Sequence, residues 1–209
     1  MYKFLLTLGI LSVTVSANAQ IFSDWKPGSY YDSTGVKHTG FIAKPANEKY
    51  LLYSLGSKIK FRKVMSEENE NIKADNIKCL VMGTDSFVVS HDQEVDRTPF
   101  LKVFLDKPTK LYGISQKKYI GNKFSLINLA SNGAMSYENN VYYTGPDPDH
   151  LTKMKRSQFE KIMCEMLSDN AFIVSKIKDG TFRYSDMEDL IESYKTGVFK
   201  EPKPIEDTY

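Results

Sequence analysis

The stretch that decides the fold reads IKCLVMGTDSFVVS, residues 77–90. Two short runs of mainly apolar and β-branched residues, 77–82 and 86–90, lie on either side of the turn-forming tripeptide 83–85. Apolar runs of this length separated by Gly and Asp are typical of two antiparallel strands joined by a tight turn. We therefore predict a β-hairpin here, and we expect further strands on both sides of it.

The same pattern recurs along most of the chain. Two further hairpins are predicted, at residues 28–43 and 100–115, and single strands are predicted at residues 50–54, 58–62, 124–129 and 141–144. The polar segments 66–71 and 131–140 are predicted loops. Strands at this spacing, with no helix between them, favour an antiparallel sheet that forms a sandwich or an open barrel.

The C-terminal part has the pattern of short amphipathic helices. Pro146 and Pro148 end the β region. The segments 157–160 and 185–188 have the spacing of capping boxes, and each precedes apolar residues at three- and four-residue intervals. A third short helix is predicted over residues 171–177. We expect these helices to pack on the sheet and to bury Phe159, Ile162, Met166, Leu190 and Ile191.

The predicted fold class is therefore α+β. An antiparallel β region, residues 20–148, precedes a helical region, residues 149–199, which packs on the sheet. Residues 200–209 are predicted to form a loose tail, because Pro202 and Pro204 interrupt regular structure there.

The N-terminus has the features of a cleavable signal peptide. Lys3 precedes an apolar run, residues 4–15, and Ala17 and Ala19 are the small residues that signal peptidase requires. A bilayer span needs about 20 apolar residues, so this run is too short for an anchor. We expect residues 1–19 to be removed, and the mature chain to start at Gln20 without a transmembrane segment. The protein is then periplasmic, outer-membrane-associated or extracellular.

Charge and cysteine content limit the classes of partner. The chain has 28 basic and 26 acidic residues and a net charge of +2, which gives no general argument for nucleic-acid binding. Because export also argues against it, we expect no nucleic-acid partner. Cys79 and Cys164 make no zinc pattern, and we favour two separate core thiols over a disulfide bridge.

The sequence contains no recognisable catalytic or metal-binding motif. His38, His91 and His150 stand apart from one another, and no Gly-x-Ser-x-Gly motif or glycine-rich phosphate loop is present. The acidic residues near positions 67–70 and 147–149 do not have the spacing of a calcium loop. We therefore predict no catalytic residues, no metal site and no cofactor.

Two groups of residues are candidates for binding. Lys58, Lys60 and Arg62 alternate with apolar residues, so the three cations share one strand face and are suited to an anionic glycan or lipid headgroup. The alternative, which we favour, is a solvated or edge strand whose lysines prevent aggregation. Tyr142 and Tyr143 are candidates for stacking on sugars or partners, the alternative being packing within the sheet.

The layout resembles a broad group of exported proteins of Bacteroidota-type bacteria. The resemblance rests on the end of the signal sequence, the segments 31–42, 58–61 and 85–89, residues Leu111 and Tyr112, and the paired C-terminal helices. The group has no established activity, so the resemblance implies export and transfers no functional residue.

Two functions fit these observations. The first is a non-enzymatic envelope protein that binds a partner protein, an anionic glycan or a lipid headgroup. The alternative is a hydrolase that acts on glycan or lipid with carboxylates from separate loops. Converging carboxylates in a deep pocket favour the enzyme, whereas a shallow exposed face favours binding.

Overall fold

The described part of the chain folds into one mainly antiparallel sheet followed by three short α-helices, which confirms the predicted α+β class. The computed structural model describes residues 25–43, 48–49, 54–55, 57–95, 99–120 and 135–202. The strands are β1 (Lys26–Asp32), β2 (Lys37–Ala43), β3 (Glu48–Lys49), β4 (Ser54–Leu55), β5 (Lys58–Arg62), β6 (Glu70–Lys73), β7 (Ile77–Met82), β8 (Asp85–Val89), β9 (Phe100–Leu105), β10 (Lys110–Ile120), β11 (Met135–Gly145) and β12 (Thr152–Lys153). The helices are α1 (Phe159–Met166), α2 (Ala171–Lys178) and α3 (Met187–Thr196). The order across the sheet is β12-β11-β10-β9-β8-β7-β1-β2-β5-β6, with β3 attached to β10 and β4 to β3.

All three predicted hairpins are present. β1 pairs with β2, β7 with β8, and β9 with β10, each in antiparallel register. Gly35 and Gly83 have φ values of +92° and +62° in the first two turns. This left-handed conformation is strained for residues with a Cβ atom, so the turn glycines help to fix where each chain reversal occurs.

A pair of glycines allows neighbouring strands to approach closely. Gly28 of β1 lies directly opposite Gly40 of β2. A Cβ atom on Gly28 would lie 2.2 Å from the Val81 carbonyl oxygen of β7, and one on Gly40 would lie 2.2 Å from the Arg62 carbonyl oxygen of β5. Side chains at these positions are therefore incompatible with the spacing of β7, β1, β2 and β5.

The sheet carries core residues on both faces. One face of β1, β2, β5, β7, β8 and β9 holds an apolar cluster to which none of the three α-helices contributes. Further along the same sheet, Phe104, Leu111 and Tyr142 pack against the three helices. A third cluster, with Leu101 and Tyr112, is separate from the helical cluster. All strands in the described part of the chain belong to a single sheet.

The helices pack on the sheet through the predicted apolar residues. Phe159, Leu190 and Ile191 are buried in the cluster shared with the sheet, whereas Ile162 and Met166 are only half-buried at its margin. The expectation of full burial is therefore wrong for these last two residues. They lie toward the solvent-facing side of α1, because the buried stripe follows Phe159, Met163 and Leu167.

The helices begin differently from the prediction. A 3₁₀ turn precedes α1 and another precedes α3, so Ser157 and Ser185 lie inside the first turn and do not cap it. The backbone N–H of Lys155 instead donates to the Gln158 side chain at 3.3 Å, and that of Arg183 donates to Asp186 at 2.9 Å. At the other end, Gly180 and Gly197 have positive φ after α2 and α3, a conformation that favours glycine and ends each helix.

Several predicted loops and strands need correction. Residues 135–140 belong to β11, not to a polar loop, and residues 70 and 71 belong to β6. The signal segment 1–19, the predicted strand 124–129 and most of 50–54 lie outside the described residues. In the predicted tail, Lys200 is held by Asp189 and Glu192 at 2.8 and 2.6 Å, so this residue is not loose.

The two cysteines are not bridged. Cys79 of β7 and Cys164 of α1 are both free thiols, as predicted, but each is half-buried and not a full core residue. Partial burial raises the pKa of both thiols, because the charged thiolate loses hydration.

Candidate anion-binding face

Strand β5 lies inside the sheet and is hydrogen-bonded to β2 on one side and to β6 on the other. Its Ile59 and Phe61 are buried in the sheet core, so Lys58, Lys60 and Arg62 project from the opposite surface. The predicted alternation is confirmed. Because β5 has a partner on each side, protection of a sheet edge does not explain its lysines.

Strand register adds two more cations to this surface. Lys73 of β6 lies directly opposite Lys58. On β2, Phe41 lies opposite Arg62, and Lys37 is on the same side of β2 as Phe41 because it is four residues away. Five cations therefore share one surface across three neighbouring strands. We call this surface the basic face: Lys37, Lys58, Lys60, Arg62 and Lys73.

Directly opposite positions on the basic face supply no carboxylate. Lys60 has Ala43 on one side and Asn71 on the other, and Lys58 has Lys73. The Cβ atoms of such cross-strand pairs are about 5 Å apart, and like charges at this separation destabilise a sheet. The arrangement of Lys58 and Lys73 therefore works against folding.

Some lysines elsewhere in the protein do have carboxylate partners. Lys107 contacts Asp169 at 3.0 Å, and Lys200 contacts Asp189 at 2.8 Å, both beside the helices. Within the part of the chain that the structure describes, none of the five cations of the basic face forms an ion pair with a carboxylate. The basic face thus groups five cations on neighbouring strands, two of them directly opposite each other, with no carboxylate partner among the described residues.

Arg62 is held by its neighbours more firmly than the lysines are. Its guanidinium carbon lies 4.5 Å from the centroid of the Trp25 ring, within the range of a cation–π contact. Nη1 donates to the Met65 carbonyl oxygen at 3.2 Å. Nε is buried and has no hydrogen-bond partner. Arg62 is therefore fixed in orientation and still has unused donors.

Tyr31 makes a second cation–π contact on the same surface. The ammonium group of Lys37 lies 5.9 Å from the centroid of the Tyr31 ring, and Tyr31 pairs with Lys37 across β1 and β2. Aromatic rings therefore lie next to two of the five cations of the basic face, Lys37 and Arg62.

The two predicted binding tyrosines are not exposed. Tyr142 is 1 % exposed and Tyr143 is 3 % exposed, so neither ring is available for stacking on a ligand at the surface. They point to opposite faces of β11, and both faces are covered: Tyr142 packs with the helices and Tyr143 with the cluster around Leu151. Packing within the sheet, the alternative left open by the sequence, is the arrangement observed.

The Tyr142 hydroxyl is buried without a hydrogen bond of normal geometry. Burial raises the pKa of Tyr142 well above its ordinary value, and nearby Glu188 adds to the effect, while the Asn140 side chain opposes it. Tyr184 packs against the ring edge-on at 5.1 Å and accepts a hydrogen bond from the Tyr142 backbone at 3.2 Å. The side chain is part of the contact between sheet and helices.

Histidine and carboxylate side chains lie close together at the junction after β11, but the carboxylates accept hydrogen bonds from backbone N–H groups and do not form a catalytic site. Asp92 accepts hydrogen bonds from the backbone of Glu94 at 2.9 Å and of Leu151 at 2.7 Å, which lowers its pKa. Asp147 accepts a hydrogen bond from the His150 ring at 2.8 Å. This contact lowers the pKa of Asp147 and raises that of His150.

Ser90 does not complete a nucleophilic site at this junction. Its hydroxyl donates to the Pro148 carbonyl oxygen and accepts from the Asp92 backbone at 3.2 Å. A nucleophilic serine must instead donate to a general base. Ser90, Asp92 and Asp147 therefore serve to anchor the segment that leads from the sheet to the helices.

A second histidine–carboxylate contact lies in the first hairpin. The Nε2 atom of His38 and the Oδ2 atom of Asp32 are 2.9 Å apart, and the His38 ring stacks on Tyr30 with 4.6 Å between centroids. The other oxygen of Asp32 accepts hydrogen bonds from Thr34 and from the Val36 backbone. Together with the contact to His38, these hydrogen bonds hold the pKa of Asp32 well below its usual range. These bonds stabilise the turn between β1 and β2.

In the described ranges, no three His, Cys, Asp or Glu side chains are arranged to hold a metal ion. No helix in those ranges is both long and apolar enough to cross a bilayer. No protein-family model matches the chain, and no curated protein or solved structure matches it.

Sequence reasoning found three of the five cations of the basic face and missed Lys37 and Lys73. Both lie in strands, but only the register of those strands places them beside Lys58 and Arg62. Trp25 was also missed. Trp25 is the single tryptophan of the chain and lies next to the start of the first predicted hairpin, and this position was the sequence feature that could have marked it as a candidate binding residue.

Proposed function

We propose that this protein is a non-enzymatic binding protein, and that its basic face holds an anionic polymer of the cell envelope. The observation that carries the proposal is the unpaired set of five cations on one side of β2, β5 and β6, with Lys58 directly opposite Lys73. An arrangement that destabilises the sheet and has no described internal partner is expected at a functional surface.

The shape of the surface favours a polymer over a small molecule. The five side chains are spread over three neighbouring strands, about 4.8 Å apart, and along the length of β5. A polymer with repeated negative charges contacts several of them at once, and each contact adds to affinity. The envelope location of this polymer follows from the proposed export of the chain.

Binding to soluble polymers tests the proposal. Polygalacturonate, dextran sulfate and uncharged dextran are compared by isothermal titration calorimetry at low and at physiological ionic strength. We expect the two anionic polymers to bind and dextran not to bind, with affinity falling as salt is added, because exposed charges are screened beyond about 8 Å at 0.15 M. Equal binding to dextran, or no binding to either polyanion at low salt, would contradict the proposal.

A further inference from the structure

Arg62 differs from the four lysines of the basic face in chemistry as well as in position. A guanidinium group is planar and presents donors in a fixed fork that matches the two oxygens of a carboxylate, whereas an ammonium group acts as a point charge. In this protein two contacts orient the guanidinium plane of Arg62. Its central carbon lies 4.5 Å from the centroid of the Trp25 ring, and Nη1 donates a hydrogen bond to the Met65 carbonyl oxygen.

The donors of Arg62 are not used up by these contacts. Among the described residues, Met65 supplies the one hydrogen bond to the guanidinium, and the buried Nε atom has no partner. A buried donor without a partner costs about 1–3 kcal/mol in proteins generally. The structure therefore maintains an oriented guanidinium that its own fold does not satisfy.

Apolar side chains lie next to this group. Val64 and Met65, which follow β5 directly, are each 45 % exposed, and Trp25 is partly exposed. A ligand unit suited to this place has a carboxylate at one point and an apolar face beside it. A uronic-acid sugar has both, because its ring presents C–H groups on one face. A sulfate or phosphate ester matches the charge, but its charged group is joined to the sugar through a rotatable ester oxygen, whereas the carboxylate of a uronic acid is bonded directly to a ring carbon.

Resting on the proposed function, we infer that Arg62 is the specificity-determining residue of the basic face and that the bound polymer is a polysaccharide carrying carboxylates. The four lysines supply attraction for any polyanion. Arg62, held by Trp25, selects the carboxylate through paired hydrogen bonds.

Trp25 provides a direct readout, since it is the only tryptophan in the chain. The full protein is titrated with polygalacturonate, with dextran sulfate and with vesicles of anionic phospholipid while tryptophan emission is recorded. The variants are Arg62→Lys, which keeps the charge, Arg62→Gln, and Lys161→Arg as a control at an exposed lysine outside the basic face. Thermal unfolding by circular dichroism checks that each variant is folded.

We expect polygalacturonate to change the Trp25 emission of the wild-type protein. Arg62→Lys should weaken polygalacturonate binding about tenfold, nearly as much as Arg62→Gln, because loss of a hydrogen bond to a charged group has this size. Binding of dextran sulfate to Arg62→Lys should stay within about twofold, and Lys161→Arg should bind both polymers as wild type does.

Two results would overturn the inference and leave the proposed function intact: wild-type affinity of Arg62→Lys for polygalacturonate, or binding without any change in Trp25 emission. Preference for the vesicles over polygalacturonate would also overturn it, by pointing to lipid headgroups. If the wild-type protein binds none of the three probes, the proposed function itself fails, and the inference fails with it.

Discussion

Replacement of Leu190 by Ala tests how much of the stability depends on the contact between helices and sheet. Leu190 is 0 % exposed and belongs to the cluster that joins α3 to Phe104, Leu111 and Tyr142 of the sheet. The change removes three buried carbon atoms from a site enclosed by both layers. Leu→Ala substitutions at enclosed positions cost about 2–5 kcal/mol, from lost transfer free energy and from the cavity left behind.

The loss of stability expected for Leu190→Ala is large compared with the total free energy of unfolding. Domains have free energies of unfolding of about 5–15 kcal/mol, so Leu190→Ala removes a substantial fraction. For a chain of this size each kcal/mol corresponds to about 2–4 °C in melting temperature, which predicts a decrease of about 4–20 °C. Circular dichroism during heating measures this shift directly.

A matched control is available at the end of the same helix. Val198 is 69 % exposed, so Val198→Ala should change the free energy of unfolding by less than about 0.5 kcal/mol. Ile162→Ala, at the half-buried margin of the cluster, should cost less than Leu190→Ala. If the melting temperature of Leu190→Ala lies within about 2 °C of the wild-type value, the packing of the helices on the sheet contributes little to stability and the reasoning is wrong.

Three further predictions concern the same contact and its anchors. A chain truncated after Pro148 exposes the sheet residues that the helices cover, and should aggregate or fail to melt cooperatively; a soluble fragment with the parent's melting temperature would refute this. Tyr142→Phe removes a buried hydroxyl without a normal hydrogen bond, so stability measured by urea unfolding should be unchanged or rise by about 1 kcal/mol; a clear loss would mean that the hydroxyl has a partner. Asp92→Asn should lower the melting temperature at pH 7. The pKa of the Asp92 carboxyl is lower in the folded than in the unfolded protein, so the ionised carboxylate stabilises the fold above the unfolded pKa of about 3.9. This stabilisation is lost as the pH falls through the folded pKa. The difference in melting temperature between variant and wild type should therefore narrow below about pH 4. A gap that is constant from pH 7 to pH 3 would contradict the assignment.

Local patterns in the sequence were sufficient for most of the fold. The glycines at 35 and 83 mark turns because left-handed backbone favours glycine, and the apolar spacing after residue 158 marks helices because a helix buries one face. These signals depend on neighbouring residues only. They identified the hairpins, the helices and the fold class.

Features that depend on distant contacts were not predictable in the same way. Tyr142 and Tyr143 are adjacent in β11, and alternation predicts that one of them faces solvent, yet both are buried because the strand is covered on both faces. The polar residues 135–140 extend β11 because β10 pairs with them along its whole length. Their composition alone is typical of a loop.

The basic face was predictable in part for the same reason. Alternation along β5 placed Lys58, Lys60 and Arg62 together, which needs no knowledge of other strands. The pairing of Lys58 with Lys73 depends on the register between β5 and β6, and the first two residues of β6 lie in a segment whose composition predicts a polar loop. The sequence also offered edge protection as an explanation, which the position of β5 inside the sheet removes.

The central claim, that the basic face binds a polyanion, is tested most directly by the affinity of Lys58→Gln/Lys73→Gln for polygalacturonate or dextran sulfate at low salt. Exposed ion pairs contribute about 0.2–1 kcal/mol each, so the loss of two should weaken binding by about 2- to 30-fold. Because the two lysines face each other, the melting temperature should be unchanged or slightly higher. The control, Lys153→Gln/Lys161→Gln, removes the same charge from exposed sites elsewhere and should bind as wild type does. Equal loss of affinity in both double variants, or none in Lys58→Gln/Lys73→Gln, would contradict the account.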